Sequence, residues 1–164
     1  MKESKLSSRK MSETIVDFLI QMPMFDNLSI NELDIVSKHM NVVNVYKNED
    51  VFREADKGDY VCFVVEGSLE VLKQTEKGKS VLLTRLRRNS SIGEMAVIDE
   101  FPRSATVRSV TKSTLVTLSR TSFDRILEEH PKIGIKILKG ISRLLSLNLR
   151  KTSSRLADYM LPLG

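Results

Sequence analysis

Tryptophan is missing from this chain of 164 residues, aromatic residues make up only 5% of it, and there is a single cysteine, Cys62. One thiol excludes an internal disulfide and suits a reducing compartment. Cys62 lies in the apolar run Tyr60-Val61-Cys62-Phe63-Val64-Val65, so a buried strand position is expected for it, with a reactive thiol as the alternative. No apolar run approaches the length of a membrane span. Met1 to Lys10 lacks the apolar heart of a secretion signal. A cytoplasmic chain without membrane association is therefore expected. Histidine is scarce too: His39 and His130 stand alone, and no metal-ligand spacing occurs. That pattern gives no support to a metal-dependent hydrolase, so neither a catalytic residue nor a metal site is expected, and both histidines are expected at helix ends or on the surface.

What is abundant is ordinary for a globular domain: 41% hydrophobic and 29% charged residues, in a chain long enough for one domain with a real core. The net charge of +5 is concentrated late, with seven Lys or Arg and one acid in residues 131 to 160. Lys132, Lys136, Lys139 and Arg143 follow helical spacing and form one stripe. A solvated helix face explains such a stripe by default; an acidic partner surface is the alternative.

Residues 1–11 read as a mobile tail. Residues 12–40 read as N-terminal helices: Ser12 is placed to cap a helix reaching Gln21, Pro23 breaks it, and Ser29-Ile30-Asn31-Glu32 is a capping box, with Leu28 and Leu33 as its staple, for a second helix to about His39. From 41 to 120 the period changes. Val42–Tyr46, Tyr60–Val65, Leu69–Leu72, Val81–Leu86, Ala105–Val110 and Leu115–Leu118 are short and β-rich, separated by turn signals such as Glu66-Gly67-Ser68. Short strands at even spacing suggest a sandwich or barrel. Residues 121–164 are helical. Ser119 or Thr121 caps a short helix to Glu129, and Pro131 opens a long helix over about 131–159. Leu138, Ile141, Leu145, Asn148, Thr152, Leu156 and Tyr159 form a coiled-coil-like stripe with two polar positions. It fits an amphipathic helix lying on the barrel, or a lid or dimer helix whose polar positions meet a ligand.

One segment carries most of the chemistry: Gly93-Glu94-Met95-Ala96-Val97-Ile98-Asp99-Glu100-Phe101-Pro102-Arg103-Ser104-Ala105-Thr106. Gly-Glu opens one helical turn, Pro102 stops it, and Arg-Ser-Ala-Thr starts a strand. Gly93 allows close backbone approach. Free amides at a helix start attract an anion. Arg103 offers a planar fork that matches two phosphate oxygens. Ser104 and the Ala105 amide add donors, and Glu94 suits a hydroxyl rather than a phosphate. A sugar bearing one phosphate fits this set. A short surface helix with an Arg–Glu ion pair fits the same residues.

Ile92-Gly93-Glu94-Met95-Ala96 followed by Pro102-Arg103-Ser104-Ala105-Thr106 resembles the phosphate-binding cassette of cyclic-nucleotide-binding domains, as found in bacterial catabolite-activator regulators, protein kinase regulatory subunits and cyclic-nucleotide-gated channels. Met24-Phe25 with Leu28-Ser29, Gly58-Asp59-Tyr60, and Glu66-Gly67-Ser68-Leu69-Glu70-Val71 are similar to the same family in the same order, over roughly residues 24 to 156. The resemblance implies a mainly β fold: an eight-stranded jelly roll with N-terminal helices, a cassette over 92–106 and a long C-terminal helix. It implies a non-catalytic sensor with no resident cofactor, whose ligand is a cyclic nucleotide. Glu94 would accept from the ribose 2′-hydroxyl, Arg103 would pair with the phosphate, and Ser104 and the Ala105 amide would complete the phosphate shell, with Gly93 and Met95 near the sugar and Ala96 among the ligand-binding residues. Thr152-Ser153 falls where a purine-contacting pair lies in catabolite-activator-like proteins. Cyclic AMP is favoured; cyclic GMP is the alternative, since Ser104 follows the cassette Arg. A homodimer through the long helix and an unknown downstream protein are further expected partners.

The chain also departs from the family. Asn48 and Ala55 stand where Gly is frequent, so the turn near Ala55 is expected to differ, because Ala tolerates a left-handed backbone poorly. Ile92 replaces a frequent aromatic. No helix-turn-helix follows the long helix before Gly164, so direct DNA binding is not expected. A ligand-free interaction or dimerisation module of the same fold is the rival reading.

Overall fold

The protein is described by a computed structural model over residues 12–160; the expected tail over 1–11 and residues 161–164 lie outside the described residues. Helix α1 occupies residues 12–19. Its expected cap, Ser12, is already inside the helix. The Ser12 hydroxyl bonds across to Asp34 (3.2 Å) and Ser37 (2.6 Å), so it joins two helices rather than starting one. A 3-10 turn follows at Pro23–Phe25, then helix α2 at Ile30–Ser37. The capping box at its start is complete: the Glu32 amide donates to the Ser29 hydroxyl, and the Ser29 amide donates to the Glu32 carboxylate.

Eight strands come next: β1 Met40–Val45, β2 Asp50–Phe52, β3 Tyr60–Glu66, β4 Leu69–Gln74, β5 Ser80–Leu86, β6 Ser91–Ile92, β7 Thr106–Ser109 and β8 Ser113–Ser119. They form two four-stranded antiparallel sheets, ordered β1-β8-β3-β6 and β2-β7-β4-β5. Six of the eight are expected from β-rich runs. β2 and β6 are three and two residues long, too short to show an alternation; their pairing with β7 and β3 defines them. Helix α3 spans Arg120–Glu129, with the Ser119 hydroxyl accepting from the Ser122 amide, and α4 spans Pro131–Met160. His39 follows the end of α2 and His130 caps the end of α3.

The first sheet is apolar on both faces because both are covered. Cys62, Val64 and Leu115 point into the barrel with Phe52, Leu69, Val71, Ala105 and Val107. Val61, Phe63, Val116 and Leu118 point outward onto Phe18, Leu19, Val36, Phe123, Ile126 and Ile137 of the helices. Burial pushes the Cys62 thiol up to about 12, so it is a neutral core side chain. The stripe expected along α4 is only partly buried. Ile133, Ile137, Gly140 and Ile141 are covered, Leu138 and Leu145 pack at the margin, and every residue from Ser146 to Met160 is exposed. The helix is buried against the domain over its first third and exposed from Ser146 onward, where Asn148 still reaches back to Glu94. No helix among the described residues is long and apolar enough to cross a membrane.

Candidate functional site

β6 delivers the chain to Gly93, whose backbone is left-handed (φ +83°), and a 3-10 turn follows at Glu94–Val97. Two constraints hold glycine here. The dihedral disfavours a side chain, and a Cβ would collide with Nη1 of Arg103 and lie 3.2 Å from the Tyr60 carbonyl oxygen. Arg103 is 5% exposed. Its Nη2 donates to the Tyr60 carbonyl (2.8 Å) and its Nη1 to the Gly93 carbonyl (3.4 Å). The guanidinium lies between two rings, 4.0 Å from the Phe52 centroid and 4.5 Å from that of Tyr60, a cation–π clamp. The Tyr60 hydroxyl donates to the Val51 carbonyl (2.7 Å), which fixes that ring.

The Arg103 backbone is held as tightly. Its amide donates to the Asp56 carbonyl and its carbonyl accepts from the Ala55 amide, at 2.8 and 2.9 Å. This turn does not differ in the way the missing glycine suggests: Ala55 takes the left-handed conformation anyway, at φ +70°. The two bonds to Arg103 hold it there. A non-glycine residue in this region costs about 1–2 kcal/mol, while glycine loosens the unfolded chain by about 0.4–1 kcal/mol. Ala55→Gly is therefore expected to stabilise the protein, by roughly 0.5–1 kcal/mol, and chemical denaturation measures it; a lower unfolding midpoint would show that the turn is unstrained.

Glu94, 6% exposed, faces the same cavity as Arg103. This cavity has a volume of about 370 Å3 and is lined by the cassette together with Phe52, Val71, Lys73 and Leu83. Asn148 of α4 donates to Glu94 Oε1 (3.4 Å). Glu94 Oε2 and Arg103 Nε are buried with no hydrogen-bond partner. Leaving such atoms unpaired costs about 1–3 kcal/mol each, more when charged; a ligand offering a hydroxyl to one and an anionic oxygen to the other removes that cost. Burial raises the Glu94 carboxyl above its ordinary value, against opposing pulls from its own amide, Asn148 and Arg103. A second cavity, about 620 Å3, continues from the first through Val71, Leu83, Ile92 and Glu94 and runs under α4.

Gly93, Glu94, Met95, Ala96, Arg103, Ser104 and Ala105 all line the first cavity. Ser104 and Ala105 lie in a bend ahead of β7, outside the ladder. Thr152 lines the second cavity, although its hydroxyl is donated to the Asn148 carbonyl (2.9 Å). Ser153 is exposed and lines neither. Several residues that build the cavity have no role assigned by the sequence. Phe52 and Tyr60 clamp the guanidinium. Lys73, from β4, donates to the Ser104 carbonyl (2.7 Å) and pairs with Glu54. Arg120, at the start of α3, donates to the Ala96 and Gly58 carbonyls and pairs with Glu100, so it ties the cassette turn to the C-terminal helices. Each is brought in by topology from a distant strand or helix.

The cyclic nucleotide-binding domain family matches residues 42–130, and the chain belongs to it. A CRP-like cAMP-activated global transcriptional regulator of Mycobacterium tuberculosis is 23% identical over 144 residues, covering 88% of this chain and 62% of that protein. A cAMP-dependent protein kinase regulatory subunit of Mycosarcoma maydis is 31% identical over 127 residues, covering 70% of this chain and 24% of that protein. A cyclic nucleotide-binding domain from Methylobacillus flagellatus superposes with a TM-score of 0.82 at 25% identity, covering 92% of this chain and 84% of that one. The fold is the mainly β jelly roll with flanking helices that the resemblance implies, and the chain is a cyclic nucleotide-binding regulatory domain.

Proposed function

We propose that this domain is a non-catalytic sensor of cyclic AMP that passes ligand binding to its long C-terminal helix. The observation that carries the reading is that Glu94 and Arg103, each with a buried, unpartnered atom (Oε2 and Nε), line one cavity. Arg103 pairs with the cyclic phosphate, with Ser104 and the Ala105 amide beside it. Glu94 accepts from the ribose 2′-hydroxyl. Gly93, Met95 and Ala96 pack on the sugar, and Thr152, which lines the second cavity, serves the purine. Both the mycobacterial regulator and the fungal kinase subunit are cAMP-responsive by name, which favours adenine over the guanine reading of Ser104.

Two contacts support transmission. Asn148 reaches Glu94 from α4, and Arg120 reaches Ala96 from α3, which packs on α4. A ligand that engages Glu94 displaces or reorders the first of these and biases the helix; it transmits only through such a difference in affinity between the two helix positions. The exposed Leu149, Leu156 and Tyr159 on α4 support a homodimer or a downstream protein as the receiver, in a cytoplasmic setting, with no DNA contact by this domain.

Glu94→Gln tests the sugar contact. Cyclic AMP is expected to bind about tenfold more weakly to the variant, for the loss of a hydrogen bond to a charged acceptor, while 2′-deoxy cyclic AMP binds both forms alike in calorimetry. Equal losses for the two ligands would remove Glu94 from the ribose. The same variant has a pH signature. Because burial raises the folded carboxyl, folding favours the protonated form: that stability is complete below pH 4.5, the ordinary carboxylate value, and is lost as pH rises through the raised one. At neutral pH Glu94→Gln is thus expected to melt higher than the unliganded wild type, an advantage that vanishes in acid.

A further inference from the structure

We infer that the cavity under α4 is a second phosphate site beside the cyclic-nucleotide cassette, so that the whole site takes a cyclic dinucleotide, or a cyclic mononucleotide together with a free phosphate. The inference rests on the proposed function for its first half, since the cassette must hold the first phosphate. Its second half comes from a mismatch of size and charge. In the mononucleotide reading the second cavity receives only a purine, a flat and neutral double ring. Yet its volume is about 620 Å3, against about 370 Å3 for the cassette cavity, and it is lined by Arg143, Lys151 and Arg155 with Glu94 as its one acid.

Those cations share one ridge of α4. Positions 143, 151 and 155 are separated by eight and four residues, and steps of four fall on one face of a helix. Among the described residues none of the three has an ion-pair partner. Lys136, by contrast, on the earlier part of the same basic stripe, is paired with Glu32 at 2.7 Å. Lys151 and Arg155 repel each other at a spacing of four, and the single acid of residues 131 to 160, Asp158, stands three residues beyond Arg155 but forms no ion pair with it and does not line the cavity. A neutral base leaves this repulsion in place. A phosphate relieves it and accepts charge-assisted bonds from Lys151 and Arg155, which are one helical turn apart. The remaining polar lining, Thr84, Asn89, Ser90, Ser91, Asn148 and Thr152, gives a second sugar or base hydrogen-bonding groups, and Leu83 and Leu147 give it apolar walls.

Calorimetric titration of the chain with cyclic AMP, cyclic GMP, cyclic di-AMP and cyclic di-GMP, with and without inorganic phosphate, tests this. The side chains of Lys151 and Arg155 are exposed, so the double variant Lys151→Gln/Arg155→Gln keeps the fold. One cyclic dinucleotide is expected to bind about tenfold or more tighter than the mononucleotide of the same base. Its affinity is expected to fall about tenfold in the double variant and more steeply with added salt than the mononucleotide's. A tenfold gain for the mononucleotide on adding inorganic phosphate, lost in the same variant, equally supports the site and identifies the second anion as free. Mononucleotide binding with no gain from either source of phosphate overturns the inference and leaves the proposed function standing. So does a gain that survives in the double variant. Absence of binding by every nucleotide overturns both.

Discussion

Arg103→Ala is expected to weaken cyclic AMP binding about ten- to a hundredfold, the loss of a charged hydrogen bond worth about 1.5–3 kcal/mol. The structure adds a second consequence. Arg103 is a buried strut as well as the proposed phosphate partner: its guanidinium donates to the Tyr60 and Gly93 carbonyls and packs against the Phe52 and Tyr60 rings, which themselves meet edge to face. Truncation takes the guanidinium donors away from both carbonyls, of which Gly93 keeps the Ala96 amide at 3.2 Å, and removes the cation from two ring faces, so the unliganded variant is expected to melt lower than wild type. The two effects separate experimentally. Calorimetry reads affinity on the folded protein, and the melting shift on adding nucleotide reads the coupling of ligand to stability. Arg103→Lys keeps the charge but not the planar fork, and is expected to recover part of the affinity. An unchanged dissociation constant in Arg103→Ala would remove the phosphate role while leaving the structural one.

Gly140→Ala is expected to be among the most damaging single-methyl changes in the chain. Gly140 is where α4 crosses the 3-10 turn Pro23–Phe25. A Cβ there would fall deep inside van der Waals contact with the Met24 carbonyl oxygen and 3.0 Å from its carbonyl carbon. Backbone cannot swing aside as a flexible side chain does, so α4 must lift or the turn must shift. Overpacking of this kind costs about 1–3 kcal/mol, and for a chain of this size each kcal/mol lowers the melting temperature by roughly 2–4 °C. Lifting α4 also withdraws Asn148 from Glu94 and widens the second cavity, so nucleotide affinity is expected to change together with stability. At Gly134 the first atom met is the tip of the Leu127 side chain, and Gly134→Ala is expected to cost less. Wild-type melting in Gly140→Ala would show that the helix crossing has slack.

The contrast between these residues shows what the sequence made legible. The cassette is local: Gly93 through Thr106 is one short segment, so its residue types and spacing expose its chemistry before any fold is known. The capping box at Ser29, the cap at Ser119 and the start of α4 at Pro131 are local as well, and all three stand as expected. Whatever depends on distant segments was hidden. Phe52 reaches Arg103 across 51 positions of sequence and Asn148 reaches Glu94 across 54; no periodicity encodes either meeting. β5 shows the subtler case. Val81-Leu82-Leu83 reads as part of a β-rich run, but nothing in it tells that the strand is an exposed edge of the second sheet or that Leu83 is a wall shared by both cavities. The stripe on α4 misleads, for its regular spacing continues well past the last residue it buries.

The central claim is that Arg103 and Glu94 grip the two ends of a cyclic sugar phosphate, and a crystal structure of the domain grown with cyclic AMP tests it most directly. The account predicts a phosphate oxygen within hydrogen-bond distance of the Arg103 guanidinium, the ribose 2′-oxygen against Glu94, and the purine extending beneath α4 towards Thr152. Nucleotide bound elsewhere, or bound in this cavity with Glu94 Oε2 and Arg103 Nε still unpaired, would contradict it.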